Sequence, residues 1–265
     1  MIMRHEIRPR IPGVVASAAP VSPGLGVAAA FSVALALLAA GCDGPELAPA
    51  VVTGLDDDFA GPALDSAWTI VNGNTATIAA ADGNLVIQPK QNVVWYHEAQ
   101  GPLVYKLVTG NFRVTTVARA RKASAPAQFP GNDYQFGGLM ARSPASDQPG
   151  GQEDHVFNVV GYRGEHLSVE TKTTKKDKSF VQGPPWPSGD AELRICRVNG
   201  RFHLYKRPVG EKQWQVAVSY KRPDLPATLQ VGLIAYSYTD AFDLRASFEN
   251  VAFAAVSTEE DCTKD

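Results

Sequence analysis

Two histidines, a glutamate and a lysine fall on one predicted hairpin. Residues 155–162 and 166–174 alternate apolar and polar side chains, the period of a β-strand. Arg163-Gly164 reads as the two-residue turn between them, so residue 162 faces residue 165. In that register His155 opposes Lys172, Phe157 opposes Glu170, Val159 opposes Ser168 and Gly161 opposes His166, all on one face. The other face carries Val156, Val160, Tyr162, Leu167, Val169 and Thr171, with Asn158 as its polar exception. The apolar face reads as core. His155, His166, Glu170 and Lys172 are left on the opposite face, either as groups for acid–base chemistry or as a solvated surface.

Each kind of chemistry makes its own demand. Retaining glycoside hydrolysis needs two carboxylates about 5 to 5.5 Å apart. The acidic residues of this hairpin, Glu165 and Glu170, are five apart and point to opposite faces of a regular strand. A lyase needs a Tyr or His base beside an Arg or Asn that neutralises a uronate. Sugar binding needs aromatic rings and a few fixed polar groups. Trp95, Tyr96, Tyr134, Tyr162, Trp186, Tyr236 and Tyr238 supply rings. Trp186, in the proline-braced loop Gly183-Pro184-Pro185-Trp186-Pro187, is the leading stacking candidate, and Trp95 is the alternative. On 230–238, Val231, Leu233 and Ala235 share one face, which leaves Gln230, Tyr236 and Tyr238 on the other.

The elements that must position these groups are nearly all strands. Period-two runs occur at 84–88, 92–97, 103–108, 111–121, 134–142, 155–162, 166–174, 191–198, 201–206, 214–220, 230–238 and 244–256. Asn199-Gly200 is a strong hairpin signal, because a type I′ turn needs positive φ at both positions. No segment after residue 42 shows a 3.6-residue period. Strands in this number pack as two sheets or a barrel. Cys196 and Cys262 either pair or remain free thiols; their spacing matches no zinc motif.

The N-terminal region speaks to location. Arg4, Arg8 and Arg10 precede an uncharged apolar run that ends in Leu38-Ala39-Ala40-Gly41-Cys42. This resembles the lipobox of bacterial lipoproteins, and implies a signal peptide at 1–41 and lipid on Cys42. Residues 42–53 then form the lipidated cysteine and a short tether, and 257–265 a polar tail. The whole chain holds 25 Lys and Arg, three before Cys42, and 27 Asp and Glu, one before Cys42. The remainder is about four charges negative, which gives no electrostatic footprint for nucleic acid.

A second resemblance covers 54–256. The opening Asp57-Asp58-Phe59-Ala60-Gly61-Pro62-Ala63-Leu64-Asp65-Ser66-Ala67-Trp68 and the close Leu244-Arg245-Ala246-Ser247-Phe248-Glu249-Asn250-Val251-Ala252-Phe253 resemble concanavalin A-like jelly-roll domains. Between them, Val108-Thr109-Gly110-Asn111-Phe112-Arg113-Val114, Gly137-Gly138-Leu139-Met140-Ala141-Arg142 and Val231-Gly232-Leu233-Ile234-Ala235 follow the order of the regulation-of-enolase-like branch. The resemblance implies an all-β, antiparallel two-sheet jelly-roll sandwich with a ligand groove on one sheet. Glucanases of the superfamily carry Glu-x-Asp-x-x-Glu on one strand, and this chain lacks it. The superfamily often holds a structural calcium between the first and last strands. Asp56, Asp57, Asp58 and Asp243 stand at the corresponding places, and no other cofactor is required. The expectation is a lipid-anchored module of the cell envelope, in either membrane, that binds carbohydrate or another cell-surface polymer without catalysis. The ligand would meet Trp95, Trp186, Tyr236, Tyr238, His155, Glu170 and Lys172. The alternatives are a polysaccharide-active enzyme using His155, His166 and Glu170, and a structural envelope or adhesion domain.

Overall fold

Strands with one apolar face must bury it against a second layer. The computed structural model describes residues 45–265 and does this with two antiparallel seven-stranded sheets. Cys42 and the leader lie outside the described residues. One sheet runs in the spatial order β1 (Thr69–Val71), β4 (Leu103–Thr109), β13 (Thr228–Ser237), β6 (Gln135–Arg142), β7 (His155–Arg163), β8 (His166–Lys175), β9 (Lys178–Gln182). The other runs β12 (Gln215–Lys221), β11 (Arg201–Arg207), β10 (Asp190–Val198), β5 (Phe112–Arg121), β14 (Arg245–Ala255), β3 (Asn84–Pro89), β2 (Ala76–Ala81). The described residues contain three short 3₁₀ turns and no α-helix, and none of their helices is long and apolar enough to cross a membrane. This is the strand packing in two sheets that the alternation allows, and the all-β jelly-roll sandwich that the resemblance implies.

The core lies between the sheets. Val156, Val160 and Val169 of the β7–β8 hairpin join Val231, Leu233 and Ala235 of β13 on one side. Phe112, Val114, Leu193, Ile195 and Phe248 face them from the other. Asn158, the polar exception, reaches across the layers: its Nδ2 donates to the Tyr205 carbonyl at 2.7 Å.

The hairpin register differs from the expectation by two residues. Arg163 pairs with His166, so Phe157 faces Lys172 and Val159 faces Glu170. The turn is Gly164-Glu165, with Gly164 at φ 60°. A shift of two keeps every side chain on its face, whereas a shift of one would have reversed them all. Asn199-Gly200 forms its turn with φ of 47° and 78°, as type I′ requires. Three strands escaped the sequence: β1, the alanine-rich β2, and β9, whose turn from β8 uses Lys176 and Asp177 at positive φ without a glycine. Residues 92–97 are not a strand. They make only single bridges, Val93 to Ser237 and Tyr96 to Ala99.

Both ends of the described chain are held. Ala50 and Asn111 are joined by a backbone hydrogen bond, as are Asn111 and Ala48, so this part of the expected tether docks on the start of β5. Cys196 and Cys262 form a disulfide, which fastens the 3₁₀ turn Glu259–Thr263 to β10. Arg113 and Arg194 donate to tail carbonyls, and the Trp214 ring lies between the guanidinium groups of Arg194 and Arg207, 4.0 and 4.1 Å away.

Candidate functional site

The face of the first sheet that turns away from the core is also apolar, and it is roofed. Phe136, Met140, Phe157, Val159 and Ile234 form a second cluster there with Val93 and Trp95. The last two belong to a strap, residues 90–102, that crosses this face. The strap is tied at several points. Val93 and Ser237 exchange backbone hydrogen bonds at 2.9 and 3.1 Å. The His97 amide donates to Ser179 Oγ at 2.9 Å. Lys172 Nζ donates to the Trp95 carbonyl at 2.6 Å. The Trp95 indole is fully buried, with its edge against His155 at 5.9 Å between centroids. Gly101 permits this, because a Cβ there would lie 2.8 Å from the indole nitrogen.

Beside the strap a pocket of about 400 Å³ remains, lined by Val94, Tyr96, Tyr134, Arg163, Glu170, Lys172, Val181, Tyr236 and Tyr238. That volume lies within the range of small-molecule sites. Tyr96, Tyr134 and Tyr238 are exposed at its mouth, and Tyr134 and Tyr238 pack edge to face at 5.9 Å. Tyr134 holds its place with a left-handed backbone, φ 53°. The floor is charged. The Tyr236 hydroxyl donates to Glu170 Oε1 at 2.9 Å. Arg163 Nη1 donates to Glu170 Oε2 at 3.3 Å. Lys172 Nζ lies 3.8 Å from Glu170 Oε1, and stands over the rings of Phe157 at 4.6 Å and Tyr96 at 5.1 Å.

Burial dominates the electrostatics of this floor. It lowers Lys172 to about 8, against the pull of Glu170. It raises Glu170, against Lys172, the Tyr236 hydroxyl and Arg163. It also raises the Tyr236 phenol well above its ordinary value, with Glu170 adding to the effect. Glu170 is the single carboxylate lining the pocket, so the pocket does not present the carboxylate pair of the usual retaining glycoside hydrolases. It offers aromatic faces at the rim and directed donors below.

The other predicted residues are separated from one another. His155 is sealed under Trp95, stacked on Phe157 at 5.9 Å, with Nδ1 3.3 Å from Glu153. Burial lowers its pKa to about 4. Glu153 also binds Arg142 through both carboxylate oxygens, at 2.6 and 2.9 Å; despite its own burial, these partners hold it down at about 2. His166 turns toward the Gly183 carbonyl at 3.4 Å and does not line the pocket. His155, His166 and Glu170 therefore do not converge. Trp186 packs into the main core under its own loop, its indole N–H donating to the Asp190 carbonyl at 3.0 Å and Lys206 over its ring. Neither Trp95 nor Trp186 offers a free face.

The acidic residues proposed for calcium do not fit it. Asp57 accepts from the Phe59 amide and the Trp68 indole, Asp56 from the Phe253 amide, and Asp58 from the Ala60 amide. Asp243 accepts from Ser124 beyond the opposite end of β14. Asp57 bridges Val251, eight residues along the chain from Asp243, which in extended chain is roughly 26 Å. Among the described residues no group of three metal-ligating side chains is gathered.

Tyr96 and Tyr134 belong to the aromatic inventory but not to the expected site; Val94 carries only the alternation of 92–97, Arg163 falls in the expected turn, and Val181 lies on β9, which the alternation does not reveal.

No family model and no curated protein matches the chain. Solved structures do match it. A functionally unknown protein from Saccharomyces cerevisiae aligns with a TM-score of 0.59 at 14% identity, over 73% of this chain and 98% of that one. A xylan beta-1,4-xylosidase from Bacillus halodurans aligns at 0.56 and 17%, over 75% of this chain and 38% of that one. The CBM2 module of a Lactobacillus casei phage Dit aligns at 0.51 and 10%, over 81% and 99%. This chain thus spans under two-fifths of the xylosidase and almost all of the other two. At such identities the likeness is one of fold, an antiparallel jelly-roll sandwich.

Proposed function

We propose that this protein is a lipid-anchored, extracytoplasmic module that binds carbohydrate in the pocket beside the strap, without a chemical step. The observation that carries the reading is the three-tyrosine rim over a floor of Arg163, Lys172, Glu170 and the Tyr236 hydroxyl. Exposed rings give C–H faces of a sugar something to stack on, and fixed donors and acceptors meet its hydroxyls. The fold similarity to part of a xylosidase and to a CBM2 module agrees with a saccharide ligand. The lipobox-like run ending at Cys42 supports attachment to a membrane of the cell envelope, and the sequence resemblance to the regulation-of-enolase-like branch supports a reading of the module as one of that kind. The test is a glycan array on the purified protein, followed by titration of Tyr134→Ala and Tyr238→Ala against the best ligand. Both variants should bind more weakly by at least about 1 kcal/mol, the threshold of an interface residue that matters. Unchanged affinity in both would remove the pocket from the reading. Product release from the bound glycan would replace binding by catalysis.

A further inference from the structure

We infer that the saccharide seated in this pocket carries a carboxylate, held by the Arg163 guanidinium and the Lys172 ammonium. The inference rests on the pocket being a glycan site and names the class of glycan.

The charge around the pocket is unbalanced. Its charged lining groups are Arg163, Lys172 and Glu170, two cations against one carboxylate. The donors are in surplus as well. An ammonium offers three N–H groups and a guanidinium five. Glu170 already shares its two oxygens among Arg163, Lys172 and the Tyr236 hydroxyl. Lys172 spends a further donor on the Trp95 carbonyl. Arg163 keeps 28% of its side chain exposed, at the pocket's edge. Ligand hydroxyls can accept from these donors, but they leave the excess positive charge uncancelled. A carboxylate cancels it and matches the planar fork of an arginine.

The titration behaviour of the floor agrees with this. Burial pulls Lys172 down to about 8, so Glu170 only partly compensates its charge. Glu170 itself is shifted upward. The neighbouring rings and aliphatic side chains keep water from screening the charges, so the preference for an anion is larger here than on an open surface.

The experiment pairs each of three uronic-acid oligosaccharides, built from glucuronic, galacturonic or mannuronic acid, with its carboxyl-reduced neutral counterpart. Calorimetry on the full protein should find at least one acidic member bound tenfold or more tightly than its neutral partner, with a gap that narrows as salt is raised. In Arg163→Gln the gap should shrink below threefold, and Arg163→Lys should restore part of it. Tyr238→Ala should weaken both members of the pair alike. Because Arg163 is partly exposed, its variants should melt within a few degrees of the parent. Lys172→Met provides a second variant with the same expected loss of preference. Neutral members that bind as tightly as acidic ones overturn the inference and leave the glycan reading standing. So does an acidic preference that survives both Arg163→Gln and Lys172→Met. No binding anywhere in the panel also overturns it; the glycan reading falls with it only if the neutral glycans of the array are silent too.

Discussion

The Lys172 ammonium donates to the main-chain carbonyl of Trp95 at 2.6 Å, and this contact ties the floor of the pocket to the strap that bounds it. The same ammonium faces Glu170 at 3.8 Å. One side chain therefore sets both the charge of the site and the position of its wall.

Removing that contact should loosen the strap. Lys172→Met leaves the Trp95 carbonyl without this donor, and an unmet buried acceptor costs about 1–3 kcal/mol. The cost falls on local opening of the strap. Hydrogen exchange at the Val93 and His97 amides should quicken by about tenfold or more, while amides of β5 and β10 keep their protection. Unchanged exchange along the strap would mean that the apolar cluster and the bonds from Ser237 and Ser179 hold it without Lys172.

Stability should fall steadily with acid. His155 titrates at about 4 in the fold, below its ordinary 6.5, because burial disfavours its charged form. Between those values the unfolded chain binds more protons, so stability present above pH 6.5 is lost as pH falls towards 4, by roughly 3 kcal/mol. Glu153 is held at about 2 against an ordinary 4.5. Its contribution is intact above pH 4.5 and is lost below that. Denaturant unfolding at pH 7.5, 5.5, 4.5 and 3.5 should trace both losses, and His155→Gln should flatten the upper one. A parent equally stable at pH 7.5 and 4.5 would contradict the sealed, neutral histidine.

Trp95 and Tyr238 should separate folding from binding. Trp95 is fully buried, and large-to-small truncation of such a residue costs about 3–5 kcal/mol. Tyr238 is 54% exposed, so its removal should change stability by no more than about 0.5 kcal/mol. Ligand affinity should fall in Tyr238→Ala at unchanged melting temperature. Trp186→Ala should behave as a core variant.

The contrast shows what was legible in the sequence. Alternation identified the faces of β7, β8 and β13, because one buried face constrains every second residue. Tyr236, Glu170 and Lys172 were placed on a common face for that reason, and the two-residue register slip did not move them. Turn chemistry was less informative. Gly164 opens its turn instead of closing it, and the Lys176-Asp177 turn has no glycine to announce β9. The strap was the larger gap. Its residues 92–97 alternate like a strand, but they are bound by side chains and single bridges from β8, β9 and β13, contacts of long sequence separation. Without the strap, His155 and Trp95 look available and Tyr96 does not look like a pocket wall.

The tail disulfide should contribute by shortening the unfolded chain's freedom. Cys196 and Cys262 are 66 residues apart, for which loop closure corresponds to about 4 kcal/mol. Cys262→Ser, compared with the parent in urea, should lose up to that amount. The carbonyls held by Arg113 and Arg194 should keep the tail docked at low denaturant. A loss under about 1 kcal/mol would mean that the tail is fixed without the disulfide, by Arg113, Arg194 and the Arg207 and Trp214 bonds to Asp265.

The central claim is that the three-tyrosine pocket is where a saccharide binds. It is tested most directly by calorimetric titration of the parent and of the Tyr134→Ala, Tyr238→Ala double variant with the strongest glycan from the array. The parent should bind one ligand per chain, and the double variant should bind at least tenfold more weakly at an unchanged melting temperature. Full-strength binding by the double variant, or no glycan bound by the parent, would contradict the account.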